Sequence, residues 1–348
     1  MTAHTSPVRR TLFALAKIAL AIAILAYLLN QARAHDAFTQ LVEQPKRWWL
    51  LAAALACSFS AIILSFLRWH LLIRAVGIAI PLLDTLRLAA LGFALNFVSL
   101  GAIGGDLFKA IFLAHGQPGR RTEAVASVLA DRILGLITIL VLATGGILAL
   151  DLRHHAPPVL VALCNAILVA AAAVLTGTAL ALFVPALSGP RMIGWFQRLP
   201  LVGSTIARLL GVVQTYRDRK PMLLAAAAVS LAVNVVYITA FFLVASGLPI
   251  QRPTYVEHYV VVPVANMVGA IPATPNGLGT KEAAVDLLYR TMPSGKQIPE
   301  GVGAMVTLAH RLTEMTVALL GLLYYLSHRR EVEEVYHEVE EFEEAAAL

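Results

Sequence analysis

Four basic residues are placed where their charge could bind an anion inside a very apolar chain. Lys109 and Lys281 follow glycine-broken turns, and Arg132 and Arg311 lie early in the apolar runs that come next. A guanidinium can hold a phosphate through two parallel hydrogen bonds, and an ammonium adds a compact full charge. The four residues therefore predict a site for an anionic group such as a phosphate.

The two turns add a second source of positive potential. Glycines break the chain at both turns: Gly104, Gly105, Gly277 and Gly279. We expect Asp106 and Thr280 to cap the helices that follow. A helix N-terminus offers free N–H groups and a partial positive charge, so two such ends facing each other would hold an anion. The complete predicted substrate site is Asn96, Gly104, Gly105, Asp106, Lys109, Arg132, Asn266, Gly277, Gly279, Lys281, Glu282 and Arg311.

A structural role for the same charges stays open, because charges within membrane segments usually pair with one another or line cavities. The candidate pairs are Arg132 with Asp106 or Asp131, and Arg311 with Glu282 or Glu314. Such pairs would close each turn onto the apolar run that follows it. The two roles are compatible, since an ion pair can open to admit a substrate.

His310 and Glu314 lie four residues apart on one helix face, a spacing that suits a metal pair or a proton relay. No second cluster of His or Cys stands near them in the sequence, so we expect no metal site. Together with Asp131 they are candidates for proton coupling. The sequence contains no nucleophile elbow, nucleotide-binding glycine loop or zinc signature, so it predicts neither an enzyme nor a cofactor.

The composition indicates the elements that must position these residues. Hydrophobic residues make up 59% of the 348-residue chain and charged residues only 14%, against roughly 25% charged in soluble domains. The chain is therefore predicted to be an all-α polytopic integral membrane protein, with no nucleic acid as a partner. Apolar runs of about the 20 residues needed to cross a bilayer lie at 11–30, 48–67, 123–150, 157–184, 220–246 and 301–327.

Two further apolar runs end in the glycine and proline turns. We interpret residues 82–115 and 256–290 as re-entrant helical hairpins, which enter and leave the membrane on the same side. Broken backbone at membrane depth is tolerated only where it is buried in protein or lines a wet cavity. The two hairpin tips are therefore expected to meet inside the protein and to enclose a polar cavity.

The basic residues predict the orientation, because Lys and Arg collect in cytoplasmic loops. The hairpin interpretation places the basic clusters around Arg68, Arg120 and Lys220 on one side. Both termini are then cytoplasmic, and the loop 151–156 is external.

The hairpins also divide the chain into two similar units, about 48–150 and 220–327. Each has an apolar run, a hairpin and a second apolar run, and the units enter the membrane from opposite sides, as an inverted repeat. Inverted repeats with broken helices are typical of transporters that bind their substrate at the repeat interface. We expect one transmembrane domain over 1–330 and an acidic cytoplasmic tail over 331–348, whose last residues resemble a vector remnant.

Three motifs in this order resemble the lysylphosphatidylglycerol synthase transmembrane-region family, also called the flippase-like domain family. They are NFVSLGAIGGDLFKA from Asn96, ADRILGL from Ala130 and PATPNGLGTKEAA from Pro272, and the resemblance covers roughly 10–328. The family often has Pro where Leu100 stands and Arg where Lys109 stands. It includes the membrane half of the multiple peptide resistance factor, which moves aminoacylated phosphatidylglycerol between leaflets, and stand-alone members linked to other polar lipids.

The resemblance implies a stand-alone member that moves an anionic or zwitterionic lipid across a bacterial inner membrane. Synthase activity is not expected, because a short acidic tail follows the last span in place of the aminoacyl-transfer domain. The expected partner is a membrane phospholipid or another polar lipid. Two alternatives stay open: a secondary transporter of a soluble organic anion, and a non-transporting protein that presents lipid to a membrane glycosyl- or acyltransferase.

Overall fold

A computed structural model describes residues 19–31, 43–98, 104–115, 119–184, 189, 194–195, 203–271, 273–295 and 298–327. Helices dominate these ranges, and no strand occurs within them. In chain order the helices are α1 (Ala19–Gln31), α2 (Trp48–Ala75), α3 (Leu82–Val98), α4 (Gly104–His115), α5 (Arg121–Ala149), α6 (Leu152–His155), α7 (Pro158–Phe183), α8 (Gly203–Tyr216), α9 (Lys220–Gly247), α10 (Tyr255–Gly269), α11 (Thr280–Thr291) and α12 (Val302–Ser327). Short 3-10 turns lie at Arg217–Arg219, Pro275–Gly277 and Pro293–Gly295.

Four stretches of helix are long and apolar enough to cross a membrane. They are α2, α5, α7 and a stretch Ala207–Gly247 that includes α9. The prediction of an all-α polytopic membrane protein is confirmed. Helix α12 matches the predicted span 301–327 in length, although its first half carries Arg311 and Glu314. The predicted span 11–30 is described only from residue 19, where α1 begins.

The two predicted hairpins correspond to two pairs of shorter helices, α3 with α4 and α10 with α11. These helices have 12 to 17 residues, so each is about 18–25 Å long and shorter than the roughly 30 Å hydrocarbon core. In the first pair the backbones touch, because Gly92 and Gly105 face each other. A Cβ atom on Gly105 would lie 2.0 Å from the carbonyl oxygen of Gly92.

The first helices of the predicted units, α2 and α9, pack side by side and run antiparallel. At one end the backbone N–H of Arg47 donates to the carbonyl oxygen of Gly247 over 2.9 Å. Towards the other end Arg68 of α2 donates to Ser230 of α9 over 2.7 Å. The antiparallel pair is what two units inserted in opposite directions would produce.

The remaining packing is reciprocal between the two halves. Helix α5 packs against α10, and α12 packs against α3, so each half supplies a long helix to the hairpin of the other. The second helix of each hairpin packs against the long helix that follows it, α4 on α5 and α11 on α12. This exchange supports an inverted repeat over 48–150 and 220–327, which stays a prediction.

Both ends of the first hairpin lie at the same end of the helix bundle. Arg120, just before α5, donates to the carbonyl oxygen of Gly77, just after α2, over 2.5 Å. The hydroxyl of Tyr216 at the end of α8 donates to the carbonyl oxygen of Leu72 near the end of α2 over 3.0 Å. The basic segments around residues 74, 120 and 217 therefore share one end, as the orientation argument requires.

Small residues mediate much of the packing between long helices. Ala54, Ala143, Ala226, Ala240 and Ala245 are fully buried. Lipid tails are as apolar as the helices, so helix association in a membrane depends on close contact between small side chains and on polar pairs. Polar side chains buried in this bundle are therefore candidates for a functional site.

Candidate functional site

The first charged cluster consists of Arg68, Asp106, Lys109, Asp131 and Arg132. Asp106, the third residue of α4, accepts a 2.5 Å hydrogen bond from Nε of Arg132 on α5. The ammonium of Lys109 lies 3.6 Å from the other oxygen of the same carboxylate. Of the two partners that the sequence left open for Arg132, the described structure has Asp106.

Lys109 is held from three sides. Its ammonium lies 5.4 Å from the centre of the Trp69 ring, a distance suited to a cation–π contact. Its aliphatic chain packs so close to Gly92 that a Cβ atom there would lie 2.6 Å from Cε of the lysine. Glycine at position 92 therefore makes room for the lysine inside the first hairpin.

Asp131 pairs with Arg68 instead of Arg132. Nε of Arg68 lies 2.7 Å from Oδ1 of Asp131, and Arg68 is only 6% exposed. The sequence analysis had grouped Arg68 with the basic residues of cytoplasmic loops, whereas the structure places it inside α2 and buries it. The predicted apolar run ended at residue 67, just before Arg68, whereas the helix continues to Ala75.

A buried chain of neutral polar groups continues from Arg68. Its terminal nitrogen Nη1 donates to the hydroxyl of Ser230, which lies 2.9 Å from the hydroxyl of Thr138. Nδ2 of Asn234 also donates to Thr138, over 2.8 Å. Sequence reasoning missed these residues, although Ser230 and Asn234 stand four apart on one face of an otherwise apolar helix.

The second charged cluster consists of Lys281, Glu282, His310, Arg311 and Glu314, joined by Tyr237. The carboxylate of Glu282 is fully buried and accepts a 2.5 Å hydrogen bond from Nε of Arg311. Its other oxygen accepts from the backbone N–H of Gly279 over 2.6 Å. Arg311 also donates to the carbonyl oxygen of Asn276 over 3.2 Å, so it ties the turn to α12.

The predicted cap of α11 is corrected by this geometry. Gly279 precedes the helix with φ of 86°, a value that glycine adopts readily, and Glu282 binds its N–H group. Thr280 lies inside the helix and donates to the carbonyl oxygen of Gly277 over 3.1 Å. Glu282 therefore supplies the capping contact that the sequence analysis assigned to Thr280.

A tyrosine hydroxyl bridges the opposite charges of Lys281 and Glu314. Nζ of Lys281 donates to Oη of Tyr237 over 2.7 Å, and Tyr237 donates to Oε1 of Glu314 over 2.9 Å. Tyr237 stands three residues after Asn234 on α9, so the polar face of this helix reaches from the first cluster to the second. Tyr237 was missed because its partners lie on α11 and α12.

His310 is fully buried in the second cluster, and neither ring nitrogen has a hydrogen-bond partner among the described residues. Nδ1 lies 3.8 Å from Oε1 of Glu314. The ring centre lies 5.0 Å from those of both Tyr237 and Phe241. Buried polar groups are usually hydrogen-bonded, so an unpartnered histidine calls for a reason.

The two clusters differ in charge and in exposure. With its acids and bases ionised, the first cluster has three cations and two carboxylates, and therefore one net positive charge. The second has two cations and two carboxylates beside a neutral histidine, and its charges balance. The side chain of Arg132 is 54% exposed, whereas that of Arg311 is 10% exposed.

The two predicted asparagines occupy similar places at the ends of α3 and α10. Oδ1 of Asn96 accepts from the backbone N–H of Gly105 over 3.2 Å, which joins the two helices of the first hairpin. Asn266 lies in the last turn of α10, where its carbonyl oxygen accepts from Ala270. Only the first of the two asparagines thus has a described contact to its own turn.

The meeting of the two hairpin tips stays a prediction. The first tip, residues 99–103, lies outside the described residues, and α4 begins at Gly104. At the second tip, the space beside Gly279 is bounded by Ala21 and Ile24 of α1. Helix α1 therefore lies against this tip, a contact that the sequence did not predict.

Two other features bear on ligands. No three His, Cys, Asp or Glu side chains lie together in a way that could hold a metal ion within the part of the chain that the structure describes. A small apolar groove opens between α5, α7, α8 and α9, with Ile133, Leu182 and Val212 in its walls. One wall of the groove is formed by α5, the helix that carries Arg132.

Comparisons with known proteins point to one class. A family model described as lysylphosphatidylglycerol synthase TM region matches residues 14–321. A UPF0104 membrane protein of Methanothermobacter thermautotrophicus is 25% identical over 279 residues, which cover 74% of this chain and 79% of that protein. No solved structure matches the chain significantly. The match to the family model confirms the resemblance that the motifs indicated, and it includes both charged clusters.

Proposed function

Because the chain belongs to the lysylphosphatidylglycerol synthase TM region family, we propose that it moves an anionic or zwitterionic lipid between the leaflets of the membrane. The family is named for a synthase of a charged phospholipid, and this chain is a multi-pass membrane protein. The proposed role is non-enzymatic. The phosphate of the head group is held by protein cations while the acyl chains remain in the bilayer.

The first cluster carries this proposal. It has one net positive charge, and a phosphodiester brings one negative charge, so binding neutralises the cluster. Among the described residues, the hydrogen bond to Asp106 uses only Nε of Arg132, which leaves the terminal amino groups for another acceptor. Since the side chain is half exposed, a phosphate can reach it without disrupting the ion pair.

The second cluster also has a lysine and an arginine paired with a carboxylate, but its arginine is buried. Arg311 pairs with a carboxylate at the third position of α11, as Arg132 does at the third position of α4. In transporters built from inverted repeats, the two halves exchange conformations to open the site to each side in turn. We therefore assign the head group to the first cluster in this state and to the second cluster after the exchange.

The proposed location is the cytoplasmic membrane, with both termini inside the cell. The aromatic residues Trp48 and Trp49 at the start of α2 are 71% and 70% exposed. Exposed tryptophans are enriched where a helix passes the membrane surface. They support a membrane boundary at this end of α2, opposite the basic end.

Leaflet exchange in proteoliposomes tests the proposal. Fluorescent phosphatidylglycerol in the outer leaflet is followed by chemical quenching, and the wild-type protein is expected to accelerate its exchange. Arg132→Ala and Lys109→Ala should slow exchange, because losing a hydrogen bond to a charged group costs about 1.5–3 kcal/mol, or roughly ten- to a hundredfold in affinity. Arg153→Ala, at an exposed arginine of α6, is the matched control.

Two other outcomes would overturn lipid movement and identify its replacement. Phospholipid binding without any leaflet exchange would favour a protein that presents lipid to a membrane enzyme. Uptake of a soluble organic phosphate into the vesicles, without lipid exchange, would favour a transporter of soluble anions.

A further inference from the structure

We infer that the second cluster, whose charges balance, accepts one proton on Glu314 or His310 for each anionic head group that it binds. The inference rests on the proposed function and adds the force that drives it, because lipid and proton then cross the membrane together. The two clusters differ by one unit of net charge, so only the second needs a proton to stay neutral when an anion binds.

Charge balance is the first argument. A phosphodiester at the first cluster cancels a positive charge that is already present. The same phosphodiester at the second cluster would leave one net negative charge among groups that are nearly all buried. Counted over backbone and side chain together, Lys281, Glu282, His310 and Arg311 are each at most 9% exposed. An uncompensated charge in such surroundings is costly, and one proton restores neutrality.

The contacts identify which carboxylate takes the proton. Glu282 accepts from Arg311 and from the N–H of Gly279, so both of its oxygens already have a donor and one donor is a cation. Among the described residues, Glu314 has a hydrogen bond only from Tyr237. A phosphate that draws Lys281 away from Tyr237 would remove the cation that Tyr237 links to Glu314, so Glu314 is the carboxylate to be neutralised.

His310 provides the second place for the proton. Both of its ring nitrogens are buried without hydrogen-bond partners in the part of the chain that the structure describes, and Nδ1 already lies 3.8 Å from Glu314. A neutral imidazole has one nitrogen that accepts a proton and one that donates. The ring can therefore receive a proton and pass it to the carboxylate after a small movement.

Within the described ranges, few other titratable groups near His310 and Glu314 could take the proton instead. Helix α11 presents Lys281 and Glu282, α9 presents Tyr237, and α12 itself adds Arg311. From α2, Ser58 meets Thr313 over 3.0 Å, next to Cys57, while Arg68, His70 and Arg74 lie towards the other end of that helix. The charged residues of α3, Asp84 and Arg87, pair with each other in its first two turns.

The proton follows the lipid without any covalent step. Glu314 or His310 takes the proton from the water on the side from which the lipid enters, as the head group passes from the first cluster to the second. The proton returns to water on the far side when the head group leaves. The lipid keeps all its bonds. The expected stoichiometry is one proton for each phosphodiester.

A pH gradient across proteoliposomes tests the inference. Fluorescent phosphatidylglycerol starts in the outer leaflet, and the interior is made about one pH unit more alkaline. Because lipid moves with the proton, linkage predicts accumulation in the inner leaflet, approaching about a tenfold excess. With no gradient the same protein should bring the leaflets to an equal distribution.

The outcomes separate the two proposals. No exchange under any condition overturns lipid movement itself, and the coupling with it. Exchange that ends at equal leaflets despite the gradient overturns the coupling and leaves lipid movement standing.

Variants then test the residues. Glu314→Gln imitates the protonated carboxylate, so the leaflet ratio should return to about one, whereas Glu43→Gln, at an exposed glutamate, should keep the gradient response. A variant that leaves the label in the outer leaflet has lost transport. The leaflet ratio is then measured for His310→Gln, where a value of about one supports the inference. If both variants still accumulate lipid, or if both are inert, the proton is not carried by this pair.

Discussion

Two arginines at matching places have different surroundings, and their substitutions should separate stability from transport. Arg311 is the partner of a fully buried carboxylate, while Arg132 pairs with Asp106 and is half exposed. Breaking a buried ion pair from one side leaves an uncompensated charge. Exposed pairs contribute little to stability, although their charge remains available to a ligand.

Arg311→Ala should therefore destabilise the protein strongly, by about 3–5 kcal/mol, because Glu282 loses its partner. Arg132→Ala should cost about 1 kcal/mol or less. Thermal unfolding in detergent measures both, with Arg153→Ala as a surface control. Equal and small losses of stability for Arg132→Ala and Arg311→Ala would mean that the Arg311 pair is not structural.

At the level of single residues, the sequence predicted which side chains belong to the charged clusters better than it predicted which side chains they contact. The pairing of each arginine with a carboxylate of its own hairpin could be named in advance, since only 26 and 29 positions separate the partners. The link from Arg68 to Asp131, and that from Tyr237 to Glu314, join helices far apart in the chain. One sequence carries no information on such contacts until the helices are placed.

Glycine contacts hold the first hairpin together at the level of secondary-structure elements. Gly92 and Gly105 bring the backbones of α3 and α4 into contact, and Asn96 binds the N–H of Gly105. The hairpin was predicted from its broken apolar run, but the close approach was not. Glycines in a sequence do not reveal whether they serve a turn, a contact or neither.

Gly105→Ala should open the first hairpin, because the added Cβ would lie 2.0 Å from the carbonyl oxygen of Gly92. We expect a loss of about 1–3 kcal/mol of stability, as for other overpacked sites, together with slower lipid exchange. Gly177→Ala on α7 is the control, since a Cβ there meets nothing within 4 Å. If both variants unfold at the same temperature, the backbones of α3 and α4 are not in contact.

For the whole molecule, the contacts divide the bundle into two ends. One end carries Arg120 beside Gly77 and Tyr216 beside Leu72, and the other joins Arg47 to Gly247. The sequence grouped the segments around residues 74, 120 and 217 by their basic residues, and sidedness itself stays a prediction. The reciprocal packing of α5 on α10 and α12 on α3 required the structure.

The proposed orientation places the basic end of the bundle in the cytoplasm. Arg120→Cys and Lys220→Cys should react with a membrane-impermeant thiol reagent only after the cell is opened. His154→Cys in the loop 151–156 should react in intact cells. The native cysteines, Cys57 and Cys164, are replaced beforehand. Labelling of position 120 from outside the cell would invert the proposed topology or remove the hairpin from it.

The exchange of partners between the halves also constrains how the chain is made. The ribosome delivers α2, α3 and α5 long before α9, α12 and α10, with which they pack. Helix α1 meets one of its partners later still, because the hydroxyl of Tyr27 donates to Glu300, which lies 273 positions further along the chain. The first half must therefore remain incompletely packed in the bilayer until synthesis is nearly finished. Its folding depends on helices that the ribosome makes later.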